Sequence, residues 1–236
     1  QAAMSMAYPV RMGIRIINNP TTGYSPFMLA GLTMNGLQIA IMLVICPLVA
    51  REFHHRVYRK QVPSWKIIAA KILPVWGLSV LSFFVSLIFL HTCFAIPARG
   101  SFFDLGLIMA VFTLTASCIM TLFAVCSPDE VMSLQEPLLY IMPGLLYSGL
   151  SWPDFYMNQL AEVIAFIFPM RHGADVVRNL LLSGYAPALY SQCLQMLLMG
   201  GLCLLLAWGV FIVRRRYGTV NLIHHVFRRE KGETTL

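Results

Sequence analysis

The chain has 236 residues, 58% of them hydrophobic and only 11% charged, with a formal net charge of +7. Soluble domains carry about 25% charged residues, so an ordinary water-soluble enzyme or binding module is excluded, and the length leaves no room for a sizeable soluble domain beside a membrane one. No aromatic stacking pattern accompanies the positive charge, so nucleic acid is not an expected partner.

The first 25 residues contain no basic segment leading into an apolar one, hence no cleavable signal. Apolar stretches follow at Phe27–Ala50, Ile72–Phe94, Leu105–Val125, Val131–Ser148 and Gln192–Val213. A hydrocarbon core of about 30 Å needs about 20 helical residues. Backbone groups in lipid have no water to bond, so spanning segments of this kind must be helices. The fourth stretch is short for the task. Between the first two, Glu52, His55, Arg56 and Arg59 recur at near-helical spacing and predict a short separate helix that ends before Pro63. Ala95–Phe103 reads as a loop with Pro97 and Gly100, and Ser127–Glu130 as a second loop with Pro128. Pro137 and Pro143 break the fourth stretch, and Gly144 and Gly149 follow. After Trp152-Pro153 comes Leu160–Phe168, too short to span and so re-entrant or interfacial, then Pro169. Met170–Leu182 is an amphipathic helix with Arg171, Asp175 and Arg178 spaced for an ion-pair ladder. The tail after Val213 is basic, with Leu222, Ile223, Val226 and Phe227 interleaved. It suits either an amphipathic helix on the membrane surface or a solvated tail.

The expected fold class is therefore all-α: a polytopic helical membrane protein with five transmembrane helices and a re-entrant or interfacial helical hairpin before the last. Arg51, Arg56, Arg59, Lys60 and Lys66 follow the first span, and Arg214, Arg215, Arg216, Arg228, Arg229 and Lys231 follow the last. The positive-inside rule puts both groups in the cytoplasm and residue 1 outside. An external start without a signal leads to the expectation that an upstream span precedes Gln1. Residues 1–25 then end an external segment, 26–213 form the membrane domain, and 214–236 form a cytoplasmic tail. Within the membrane domain, 51–66 is the cytoplasmic segment and 150–190 the external re-entrant region.

Catalytic chemistry finds no foothold. HExxH, GxSxG and GxxxxGK[ST] are all missing, so this chain has no phosphate-cradling loop of its own. The pairs His54-His55 and His224-His225 are adjacent, which points their rings apart on a helix, and no metal site is expected. His172 beside Asp175 has the spacing of an oriented base but no nucleophile near it. Six cysteines include no CxxC pair; Cys93 and Cys193, both near the outer surface, are the one candidate disulfide. Polar residues inside the spans carry more information. Asn35 and Gln38 lie one turn apart on one face of the first span, and Glu136 sits near the inner end of the fourth, one turn before Tyr140. These four are candidates for lining a substrate pathway; for Asn35, Gln38 and Glu136, helix–helix bonding or an interfacial ion pair remains the competing reading. Lys71 is expected to snorkel to the headgroups. Gly200, Gly201 and Gly209 are expected to let a neighbouring helix approach closely.

Several of these features occur together in one family. Ile17-Asn18-Asn19-Pro20 with Gly31-Leu32, Arg51-Glu52 after the first span, Pro63 before Lys71, Gly100-Ser101, and above all Ser148-Gly149-Leu150-Ser151-Trp152-Pro153 followed by Pro169 and Arg178 resemble the membrane subunit of type-2 ABC exporters. The likeness runs across nearly the whole chain. It departs at Phe53–Lys60, where the family usually has a glycine-threonine and a second glutamate, and at Ala30, where proline is usual. The resemblance implies two permease chains, identical or related, around a pathway, with two separate ATPase subunits beneath that bind ATP and Mg. No cofactor belongs to this chain itself. It implies a coupling helix carrying Arg51, Glu52, His55, Arg56 and Arg59, and an external gate at Pro143, Gly149, Trp152, Pro153 and Pro169. It further implies a bacterial cytoplasmic (inner) membrane location, an upstream span with an external domain, and a periplasmic adaptor where efflux crosses a double envelope. The alternatives are a non-transporting membrane scaffold and a membrane-embedded lipid-modifying enzyme. The enzyme needs an acid, a base and a nucleophile at one depth, which the sequence does not offer.

Overall fold

A computed structural model describes residues 24–55, 62–150 and 157–217. Among the described residues there are seven helices and no strand: α1 (Tyr24–His55), α2 (Ser64–Phe94), α3 (Phe102–Cys126), α4 (Glu130–Leu146), α5 (Gln159–Ala165), α6 (Pro169–Leu182) and α7 (Leu189–Tyr217). The chain is a polytopic helical membrane protein, as its apolar stretches predict. Four helices are long and apolar enough to cross a membrane: α1, α2, α3 and α7. The expected fourth crossing is shorter. At 17 residues, α4 covers about 26 Å of a core of about 30 Å. It ends at Leu146, two residues before the predicted stretch does, because Tyr147 leaves helical geometry and Gly149 takes a left-handed φ of 80°. The short α5 followed by α6 reproduces the predicted helical hairpin.

Local sequence sets the helix ends. Ser101 and Asp129 accept the first free backbone N–H groups of α3 and α4 through Phe103 and Met132, at 3.2 and 2.8 Å. Pro169 opens α6, where a missing N–H costs nothing. At the other end of α6, Gly184 adopts φ 81° and its N–H reaches back to the Asn179 and Leu180 carbonyls, both at 3.2 Å. The loop before α3 packs onto that same corner. Arg99 donates to the Leu181 carbonyl through its backbone and to Leu182 through its guanidinium, each at 3.2 Å. A Cβ on Gly100 would sit 2.7 Å from the Leu180 carbonyl oxygen, so the Gly100-Ser101 pair combines a close backbone approach with a helix cap.

The centre of the bundle is α3, 78% of whose spanning window is buried against 44% or less for the other spans. Packed around it are α1, α2, α4, α6 and α7, with α7 making the most extensive contact. Thr115 donates to the Met196 carbonyl of α7 at 2.9 Å, and Gly200 faces Thr115 directly. Gly201 and Gly209 face open space, so only Gly200 makes the predicted close approach. The exposed side chains of α2 and α7, such as Leu78, Leu81, Val85, Leu198, Leu202 and Leu205, form apolar stripes suited to lipid.

Two apolar clusters divide the interior. One joins Met34, Phe83, Phe112 and Met196; the other joins Ile45, Ile72, Ile119 and Phe211. Between them in chain register lie buried polar residues: Gln38 on α1, Ser79 on α2, and Thr113 and Thr115 on α3. The hydroxyls of Thr113, Ser117 and Thr121 bond back to carbonyls one turn earlier on α3, each at 2.7 Å, which removes their demand for outside partners. The cysteines among the described residues are free, with Cys93 exposed and Cys193 buried, so the candidate disulfide does not form.

Candidate coupling end and pathway

Helices of alternating direction bring the ends of α1, α3 and α7 and the starts of α2 and α4 to one side of the bundle. There, polar contacts tie them in a ring. Arg51 at the end of α1 meets Glu130 at the start of α4 at 3.0 Å. Glu52 meets Lys71 of α2 at 3.2 Å. The Ser127 hydroxyl lies 2.6 Å from a Glu136 carboxylate oxygen of α4 and 2.8 Å from the Phe123 carbonyl, with its single proton shared between the two acceptors. Arg214 of α7 donates to the carbonyls of Val125 and Ser127, at 2.5 and 2.7 Å; a cation there complements the negative end of α3. Arg215 donates to Val62 and Ser64 at the start of α2, at 2.7 and 3.1 Å.

This geometry revises two expectations. The predicted coupling helix does not begin as a separate element, because α1 runs unbroken to His55 and carries Arg51 and Glu52 as its own last turns. Arg56 and Arg59 lie outside the described residues, and the His55 side chain is likewise not described. Nor does Lys71 snorkel outward. Its side chain is only 10% exposed, and it turns inward to donate to the Leu48 carbonyl as well. The nearby Glu52 carboxylate is the reason. An interior countercharge is within reach, and the buried Glu52 Oε2 atom, which has no well-aligned hydrogen bond among the described residues, pairs with the Lys71 ammonium at 3.2 Å.

Asn35 and Gln38 share the interior face of α1, as their spacing predicts. They are 8% and 2% exposed, beside Met34 and Leu37 of the first apolar cluster. Asn35 Oδ1 is buried with no hydrogen-bond partner among the described residues. A buried amide oxygen in that condition costs about 1–3 kcal/mol. Glu136 is half-buried, and its contact with Ser127 holds it near the start of α4, at the same end as the Arg51–Glu130 pair. Glu136→Gln keeps the shape and weakens this charge-assisted contact; export measured between pH 5 and 8 is expected to shift in rate or substrate preference. Wild-type behaviour throughout would leave Glu136 a purely structural anchor.

At the opposite side, α4 meets the corner between α5 and α6. Tyr140 donates to the Ile167 carbonyl at 2.8 Å. Its ring lies 5.0 Å from that of Phe168, and Tyr147 stacks on Phe168 from 6.2 Å away, nearly parallel. Gly144 leaves room for the Phe168 ring, which a Cβ would approach to 3.2 Å. The expected gate residues Pro143, Gly149 and Pro169 thus flank one contact, whereas Trp152 and Pro153 lie outside the described residues. Phe168, Tyr147 and Gly144 fall within the broken fourth stretch and the Leu160–Phe168 segment, but the sequence does not single them out one by one; the available signal is the aromatic spacing of Tyr140 and Tyr147 across Pro143. His172 is also fixed here, with Nδ1 2.6 Å from Gln192 Oε1 and Nε2 2.9 Å from the Phe166 carbonyl. Asp175 instead pairs with Arg178 and accepts from Asn179. His172 and Asp175 therefore form no catalytic dyad, and His172 ties the hairpin to α7. A polar cavity of about 240 Å³ beside it is lined by Glu162, Arg171, Asp175 and Gln195 among others.

Residues 3–208 match the model of a family described as ABC-2 family transporter protein. No curated protein and no solved structure matches the chain.

Proposed function

We propose that this chain, which belongs to the ABC-2 transporter family, is the membrane-spanning subunit of an ATP-driven exporter whose ATP is hydrolysed by separate partner subunits. Its basic end faces the cytoplasm of a bacterial cell, and its Tyr140–Phe168 contact forms part of the outer gate. A second permease chain, identical or related, completes the pathway. The ring of contacts from Arg51, Glu52, Arg214 and Arg215 carries this reading. A push on the end of α1 is delivered through rigid polar contacts to α2 and α4, and only contacts that differ between two states can drive such a change.

Arg51, Glu52, His55, Arg56 and Arg59 are proposed to meet the ATPase, and Asn35, Gln38, Glu136 and Tyr140 to border the pathway. Copurification with an ATPase subunit tests the partnership. Replacing Glu52 and Arg56 together is expected to raise the ATP hydrolysed per molecule exported by about fivefold or more, the lower range of coupling between linked sites, while the chain remains in the membrane. Unchanged export per ATP would refute the coupling assignment, and export without any ATPase would refute the exporter reading itself.

A further inference from the structure

Between α2 and α7 the surface is concave. Both helices pack on α3 but scarcely touch one another along their length, and the space between them is a groove of about 380 Å³. Trp65, Ala69 and Leu73 form one wall, Leu205 and Trp208 the other, and Cys118 of α3 lies at the floor. The lining is wholly apolar in character and contains no acidic residue. Along α2 it runs from residue 65 to 73, about 12 Å of helix, close to the depth of one leaflet of a core of about 30 Å. Its mouth lies at the basic end. Lys66 is exposed there with its ammonium 5.6 Å from the centre of the Trp65 ring, and Arg215 reaches across from α7 to Ser64.

An apolar stripe facing lipid is ordinary. A cleft one leaflet deep, flanked by indoles and topped by cations, is more selective. The Trp65 indole, beside Lys66 at the mouth, suits the headgroup level, Trp208 lies deeper along the acyl-chain path, and juxtamembrane cations attract anionic headgroups. We infer that this groove is a binding site for a single anionic phospholipid of the leaflet at the basic end, with one acyl chain between α2 and α7 and its phosphate at Lys66 and Arg215. The site is separate from the proposed pathway, which lies on the α1 and α4 side of α3. A bound lipid bridges the start of α2 and the end of α7, the same two elements that Arg215 joins.

The test uses the full chain in nanodiscs of phosphatidylcholine containing a small fraction of brominated lipid, which quenches nearby tryptophan. The Trp208 contribution is the difference between wild type and Trp208→Phe. Brominated phosphatidylglycerol is expected to quench it more strongly than the same fraction of brominated phosphatidylcholine. Lys66→Ala, at an exposed site that leaves folding intact, is expected to cut that preference roughly fivefold, the value of one cation at a membrane surface. Ala69→Phe, which fills the groove, is expected to abolish the difference in Trp208 quenching between the two lipids. Equal quenching by the two lipids would overturn the proposal. So would Trp208 shielded from both, the result if a second copy of the chain covers the groove.

Discussion

Gly200→Leu is expected to destabilise the folded chain severely, and Gly201→Leu, one residue on, to leave it nearly unchanged. A Cβ at position 200 would lie 3.1 Å from both Cα and Oγ1 of Thr115, whereas one at position 201 meets nothing within 4 Å. Thr115 has little freedom to retreat, because its hydroxyl is bonded to Met196 one turn away on α7 and α3 is enclosed by five other helices. Leucine therefore forces α3 and α7 apart along the most extensive contact in the bundle. Overpacking costs about 1–3 kcal/mol, and the lost interhelical bond adds about 0.6–2 kcal/mol. Against a total stability of about 5–15 kcal/mol, this is a large fraction. The thermal midpoint in detergent reads the difference. Equal midpoints for the two variants would mean that α3 and α7 do not pack as described.

The second large effect concerns Glu52 and Lys71. Glu52→Gln removes the countercharge from an ammonium whose side chain is only 10% exposed. Breaking a fully buried pair costs about 3–5 kcal/mol; Glu52, at 30% exposure, brings the expected loss to the lower part of that range. Lys71→Met alone strips the buried Oε2 of its partner, but the Glu52 side chain is 30% exposed and can turn its carboxylate toward water, so the loss is smaller. The double variant Glu52→Gln with Lys71→Met is expected to regain most of the stability, since apolar replacements of buried pairs are often neutral. Export separates structure from coupling. If Glu52 also meets the ATPase, the double variant is stable and still poorly coupled. A double variant that is stable and exports normally would reduce Glu52 to a structural partner of Lys71.

Much of this was legible in the chain. Five apolar stretches, the hairpin around Pro169, the shared face of Asn35 and Gln38, and the Asp175–Arg178 pair all follow from period and spacing. The failures share a cause. In the sequence Lys71 is a lone cation suited to headgroups, because the packing of α1 that brings Glu52 beside it is a tertiary fact. Gly201 and Gly209 are indistinguishable from Gly200 in the sequence, because composition does not say which face of α7 meets α3. The break predicted between α1 and a separate basic helix rested on a change of polarity at Arg51, yet polarity alone does not interrupt a helix that lacks a stop signal. Family resemblance supplied the coupling and gate roles, which no periodicity contains.

The most direct test is the sidedness of the loop between α3 and α4 relative to Cys93, which lies at the other end of α2. Cys93 is free and exposed, and Pro128 is exposed in the α3–α4 loop. A membrane-impermeant maleimide applied to intact cells is predicted to label Cys93, and to label Pro128→Cys only after the cells are opened. Labelling of Pro128→Cys in intact cells would place the Arg51–Glu130 ring outside, away from any nucleotide, and contradict the account.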